Sequence, residues 1–228
     1  MTSFQNANFE NADLSGSDFE GVDLSGSNLR KVKLWLANFE RANLQDTNLQ
    51  NVDLRDVHLQ EADLRRANLR LANLSGADLW CANLKDADLY NANLEDADLH
   101  GANLYNVNLW LANLTNANLQ KANLWGVDLR EVCLHNTDLS GAKLQCVNLC
   151  GTNLQDVIFD EKTIIKLKFA PDFQENLSEN MGLMLNTINS ISPSNKLLKQ
   201  NLMEQFTAFL NTINNSLDTV LLAPHIHT

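Results

Sequence analysis

Residues 62–76 read Ala62-Asp63-Leu64-Arg65-Arg66, Ala67-Asn68-Leu69-Arg70-Leu71, Ala72-Asn73-Leu74-Ser75-Gly76. The same five-residue beat runs outward from this stretch in both directions without a slip. A large apolar residue stands at every fifth position from Phe4 to Phe159, 32 positions in all, 27 of them Leu and 5 Phe. Two residues before each there is only Ala, Val, Ser or Thr, and the residue between is Asn or Asp in 26 of the 32. Ser3, Lys33, His58, Cys133, Lys143 and Ile158 are the exceptions. A fixed internal period outranks local propensity in deciding a fold.

A period of five suits neither regular element. On an α-helix it advances roughly 140° beyond a full turn, so the Leu residues would spiral and form no stripe. On a straight strand, where side chains alternate with period two, successive Leu residues would fall on opposite faces. The Leu residues share one inside only if the chain bends once per repeat. The small residue and the Leu, two apart, point inward together, and the three positions between one Leu and the next small residue carry the bend. Asn, Asp and Gly are frequent there, as turns with left-handed residues require. The sequence therefore predicts a coil with an apolar centre and outward-facing corners.

The segments quoted above resemble the A(D/N)LXX motif of pentapeptide-repeat proteins, and the match covers about two thirds of the chain. The resemblance implies an all-β solenoid: a right-handed, quadrilateral parallel β-helix with four repeats per coil. Thirty-two repeats at four per coil give eight coils over residues 1–160, a rod of about 38 Å at the usual strand spacing. The family's activities, as the resemblance carries them, divide. Members of the quinolone-resistance type are similar to duplex DNA in shape and charge and bind DNA gyrase as dimers joined through C-terminal helices. Many cyanobacterial members have uninterrupted A(D/N)LXX repeats and no assigned reaction, and one acts in heterocyst patterning by binding a regulator. The unbroken register here is closer to the second group.

Charge and chemistry narrow the function. The net charge is −11, and residues 1–160 hold 22 Asp/Glu against 12 Lys/Arg, or −10. That balance argues against nucleic acid as a partner, which calls for clustered Lys/Arg, and suits a basic protein surface. No apolar run reaches the 18 residues of a transmembrane helix. Met1-Thr2-Ser3-Phe4 enters the repeat at once, without a basic region or an apolar signal core, so no export signal is read and a cytoplasmic location is expected. Cys81, Cys133, Cys146 and Cys150 lack CxxC spacing and read as free thiols of a reducing compartment. His58, His100 and His135 fall on separate corners and faces, and His225 and His227 form only a two-histidine tail. No nucleophile–base pair, phosphate loop or metal spacing emerges, and the closed interior offers no substrate cavity. The expectation is a non-enzyme with no cofactor and no metal.

If a coil is 20 residues, outward positions 20 apart stack. The position after each Leu then forms four ladders, one running Arg30, Gln50, Arg70, Tyr90, Trp110, Arg130 and its neighbour Gln45, Arg65, Lys85, Tyr105, Trp125, Gln145. Tyr90 is predicted under Trp110 and Tyr105 under Trp125. Exposed Trp and Tyr flanked by Arg are the residues of binding hot spots, although cross-strand rings also brace ladders. The candidate protein-binding patch is Arg70, Tyr90, Tyr105, Trp110, Trp125 and Arg130.

Beyond Phe159 the motif decays. Lys162 stands where a small residue is due, while Ile164 and Phe169 keep the five-residue beat and predict a last strand. Pro171 breaks the chain, and Asp172 with Glu175 resembles a helix start. Phe173, Leu177, Met181, Met184, Ile188 and Ile191, then Leu198 through Val220 after Ser192-Pro193-Ser194, follow helical spacing. Residues 161–228 thus read as a last strand and two amphipathic helices that cap the coil or join two copies into a homodimer. Phe4, Phe9 and Phe19 suggest rings plugging the other end. The function read from the sequence is a protein-binding or scaffold protein with an acidic, rod-shaped surface. The alternative is a gyrase-directed DNA mimic.

Overall fold

The computed structural model describes residues 2–169, 173 and 176–221, with side chains to residue 213. Residues 2–169 wind into stacked coils. Parallel bridges join positions 20 apart, from Ser3 with Asp23 to Asp138 with Ile158, nearly always at the Asn/Asp position of the repeat. Most central Leu and Phe residues send their N–H to the carbonyl 19 residues ahead, as Leu64 does to Asn83 at 2.8 Å, and most Asn/Asp positions send theirs back, as Asp63 does to Ala42 at 2.9 Å.

The corner is the same throughout. The small residue donates its N–H to the preceding central carbonyl, as Ala67 does to Leu64 at 3.0 Å. The residue before it is left-handed at every fifth position from Asn6 to Gly151, and 22 of these residues are not glycine. This hydrogen bond with a left-handed third residue is the signature of a type II turn. Non-glycine residues adopt that conformation at a cost, so their number shows how strongly stacking dictates the corner. The Asn/Asp side chain supports it locally: Asn68 Oδ1 accepts the N–H of Arg70 at 3.2 Å. It also works between coils, for Asn103 Nδ2 donates to Asn83 Oδ1 and Asn123 Nδ2 to Asn103 Oδ1, each at 3.1 Å.

The 29 central positions from Phe19 to Phe159 are all buried. Each buried Leu contributes roughly 1.5–3 kcal/mol. The first coil differs, since Phe4 is 39 % exposed and Phe9 and Leu14 are only partly covered. The expected aromatic plug is therefore not formed. Phe4 and Phe9 meet edge-to-face at 5.7 Å, and only Phe19 enters the interior, stacked on Phe39 at 5.0 Å.

Continuous strand is scarcer than the β-solenoid expectation suggests. Among the described residues, continuous strand is confined to β1 (Lys143–Val147) and β2 (Ile164–Leu167), and the rest of the coil is joined through single-residue bridges because each side is too short for a ladder. The register around β2 also departs from the sequence reading. Leu144 pairs with Ile165, 21 residues on, while Val147 pairs with Leu167, 20 on. One extra residue enters at the corner after Phe159 and one is lost at the next. Thr163, not Lys162, takes the small-residue place. Its hydroxyl lies 3.1 Å from Leu139 O, as Thr137 reaches Leu114 O at 2.8 Å and Thr152 reaches Leu129 O at 3.1 Å. Asp160 makes the longer corner possible: its Oδ1 accepts from Gly141 N, Lys162 N and the Thr163 hydroxyl. Ile165 is consequently buried and Ile164 is 43 % exposed.

Two helices, α1 (Leu177–Ser190) and α2 (Lys196–Leu221), lie over the last coil, linked by a single 3₁₀ turn at Pro193–Asn195. Met184, Ile188, Leu202 and Phe206 are buried beneath them, and Phe169 stacks on Phe209 at 3.9 Å. Their side chains imitate a further coil. Thr187 Oγ1 donates to Leu149 O at 3.0 Å, Ser190 Oγ accepts Leu154 N–H at 2.8 Å, and the Gln205 amide bridges Ile165 O and Leu167 N at 3.0 and 2.9 Å. The helix start read at Asp172 and Glu175, the apolar positions Leu217 and Val220, and His225 and His227 lie outside the side chains described.

Candidate functional site

The corner hydrogen bonding fixes which way each outward residue points. A residue directly after a buried Leu stands on the outside of the coil, with its counterparts one coil away on either side at roughly 4.8 Å. On one face this sets Arg70, Tyr90, Trp110 and Arg130 in a column. The Arg70 guanidinium lies 4.2 Å from the Tyr90 ring centroid and pairs through Nη1 with Asp88 Oδ2 at 3.0 Å. At the far end, the Arg130 guanidinium sits 5.5 Å from the Trp110 ring and holds Asp128 through Nε and Nη2, the latter at 2.7 Å. Each cation thus has an aromatic face on one side and a carboxylate on the other.

Around the next corner, Tyr105 and Trp125 stack with centroids 4.7 Å apart and planes 6° from parallel, and Lys85 Nζ stands 5.1 Å from the Tyr105 ring. The sequence expectation of two ring stacks needs amending here. Tyr105 and Trp125 form one, but no ring pair joins Tyr90 to Trp110 among the described residues. Each of those rings takes a guanidinium instead. Exposure also differs, for Trp110 is 37 % exposed while Tyr90, Tyr105 and Trp125 are half-buried.

The structure adds residues that lie outside the candidate patch. Leu71 and Leu111 occupy left-handed corner positions, with φ of 59° and 61°, and both stand exposed beside the column. They share one corner ladder two coils apart, about 10 Å. Lys85 completes the second column. Trp35 and Leu36 form a separate exposed pair near the start of the coil. A signal for these was present, since Leu34-Trp35-Leu36-Ala37-Asn38 recurs as Leu109-Trp110-Leu111-Ala112-Asn113.

Elsewhere several surface charges are tied to one another. Arg66 grips both oxygens of Asp46 from the next coil, at 2.7 and 2.6 Å. Hydrogen bonding from Arg66 holds the Asp46 carboxyl below its ordinary value, as Arg55 does for Asp53. Among the described residues no group of three or more His, Cys, Asp or Glu could hold a metal ion. No described helix is long and apolar enough to cross a membrane.

Two family descriptions match the chain: a pentapeptide repeat region over residues 2–79, and pentapeptide repeats in segments running from residue 67 to 161. The chain is a pentapeptide-repeat protein. No functionally curated protein matches it in sequence. Among solved pentapeptide-repeat structures, it is similar to a trypsin-treated form of QnrB1, a plasmid-mediated fluoroquinolone resistance protein. The identity is 20 %, the match covers 79 % of this chain and 87 % of that one, and the TM-score is 0.58. HetL, involved in heterocyst differentiation regulation in Nostoc sp. strain PCC 7120, matches at 27 % identity over 73 % of this chain and 86 % of its own, with a TM-score of 0.36. A second pentapeptide repeat protein from Nostoc PCC 7120 matches at 38 % identity over 54 % and 84 %, with a TM-score of 0.32. QnrB1 supports the fold, a right-handed β-helical solenoid; no activity follows for this pentapeptide-repeat protein from that likeness.

Proposed function

We propose that this pentapeptide-repeat protein is a non-enzymatic protein-binding scaffold, working in the cytoplasm, whose binding face is the column Arg70, Tyr90, Trp110 and Arg130 with Tyr105 and Trp125 round the corner. The coil beneath it is read as a four-sided, right-handed solenoid of about eight turns. The observation that carries the reading is the pair of cation–aromatic contacts beside the exposed Leu71 and Leu111. These side chains play no part in filling the interior. Because Asp88 and Asp128 neutralise the two guanidiniums, the face is aromatic and locally near neutral on a rod that is otherwise acidic. Such a surface favours a partner that lays an apolar centre on the rings and sets basic groups at its rim, where charge governs association rate more than affinity.

A gyrase-directed DNA mimic is the second reading, resting on the −10 of residues 1–160. One experiment separates the two. Parent and Trp110→Ala proteins are used as bait in native extract, and the captured proteins are compared alongside melting curves. Capture reduced by roughly 2 kcal/mol or more in affinity, at a nearly unchanged melting temperature, is the expected outcome for a hot spot. Unchanged capture with lowered melting would leave the rings a bracing role only. Gyrase captured equally by both proteins, and released by salt, would put the second reading first.

A further inference from the structure

Among the described residues the cap on the last coil leaves outward main-chain groups in one half of that coil uncovered. Along the interior coils most central N–H groups donate to a carbonyl of the following coil, as Leu139 donates to Ile158 O at 2.8 Å. In the last coil, α1 covers the half around Leu149 and Leu154 through Thr187 and Ser190. The other half runs through Phe159 and Ile165. The Phe159 N–H has no acceptor among the described residues. Ile164 N–H bonds back to Ala142 O, so by strand alternation the N–H and C=O of Ile165 face away from β1. Gln205 takes that carbonyl and leaves the N–H.

These amides open onto a groove of about 950 Å³ between β2 and the start of α2. Phe159, Ile164 and Leu167 form one wall, and Leu197, Leu198 and Asn201 the other. Ile164 and Leu197 are 43 % and 76 % exposed. The register shift at Thr163 is what turns Ile164 outward into this groove. Lys166 lines it beside Asp160 and Glu161; over residues 160–169 as a whole, Lys162, Lys166 and Lys168 outnumber those two acids, a net +1 opposite in sign to the rod, and none of the three lysines is ion-paired among the described residues. The Asp160 carboxylate is turned to its own corner, where it accepts the backbone N–H groups of Gly141 and Lys162 and the Thr163 hydroxyl, and Glu161 stands beside it in the lining.

We propose that this groove is a second binding site, separate from the aromatic columns, that takes an extended acidic peptide segment of a partner protein as the missing strand of the coil. The peptide supplies carbonyls to Phe159 and Ile165, an apolar side chain between Ile164 and Leu197, and carboxylates to the lysines. Strand addition of this kind derives affinity from main-chain hydrogen bonds and specificity from alternate side chains.

The test uses the full chain and two fluorescein-labelled peptides, Glu-Glu-Val-Thr-Val-Thr-Val-Glu-Glu and the same core ended by Lys in place of Glu. The acidic peptide should bind, and Lys166→Glu and Leu197→Asp should each weaken it roughly tenfold, since both side chains are exposed and neither supports the fold. Binding should slow amide exchange at Phe159 and Ile165. No binding, equal binding of the two peptides, or binding that leaves those two amides exchanging as before would each overturn the proposal. So would sedimentation of the parent as an oligomer that Leu197→Asp dissolves, which would assign the groove to a second copy of the chain.

Discussion

At the scale of single residues, the corner position shows what stacking can impose. Asn, Asp and Gly accept a left-handed backbone readily, and most corners use them. Leu111 does not belong to that group, yet it holds φ at 61° with its side chain 41 % exposed. A large apolar side chain that is strained and unburied earns no stability there. Leu111→Asn should therefore leave stability unchanged or raise it by up to about 1 kcal/mol, measured by denaturant melting, while weakening capture of the partner. A clear loss of stability would show that Leu111 packs against the fold instead. The sequence made the corner legible but not this residue's exposure, because the five-residue pattern specifies only which way a side chain leaves the coil. How far Tyr90 or Trp110 is covered depends on what its coil neighbours reach over it. That is why Arg70 and Arg130, rather than a ring stack, decide the geometry of the column.

Among the elements, β2 is where pattern reading and structure part. Counting in fives selects Ile164 for the interior, and the structure selects Ile165. The cause is legible after the fact in Asp160 and Thr163. Asp160 can accept the three donors of a longer corner, and Thr163 can turn its hydroxyl inward to Leu139 O as other threonines at small positions do. A side-chain carboxylate replacing a main-chain carbonyl is invisible to a hydrophobic period. Ile165→Ala should then cost roughly 2–5 kcal/mol, the range for truncating a buried Ile, whereas Ile164→Ala should stay within about 0.5 kcal/mol as surface changes do. Chemical denaturation of the two variants checks the order, and the reverse order would restore the unbroken five-residue register. The helices were legible from their apolar spacing. The contacts of Thr187, Ser190 and Gln205 with the last coil were not, because each depends on meeting one particular unpaired group.

For the whole molecule, the interior repeats every five residues but the surface repeats every 20. An interior of Leu and small residues is indifferent to which of the four sides a repeat occupies, whereas Arg70, Tyr90, Trp110 and Arg130 meet only if they share one. Deleting residues 23–62 joins Val22 to Asp63 in phase and removes two whole coils. The rod should shorten by about 10 Å and melt at a lower temperature, since a repeat stack loses stability with each interface removed. The downstream columns and the partner capture should survive. Deleting residues 91–95 instead removes a single repeat between Tyr90 and Trp110. Every later Leu still points inward, so the protein should fold and melt close to the parent. Everything beyond the cut, however, moves to the neighbouring side: Tyr90 keeps Arg70, while Trp110 and Arg130 leave the column together. Small-angle scattering, melting and capture measured on both variants separate the two periods. If the short deletion captured the partner as well as the parent does, the alignment of the columns would have no role in binding. If it unfolded, the four sides would not be interchangeable in the interior, and the Leu-and-small-residue pattern would not by itself specify the coil.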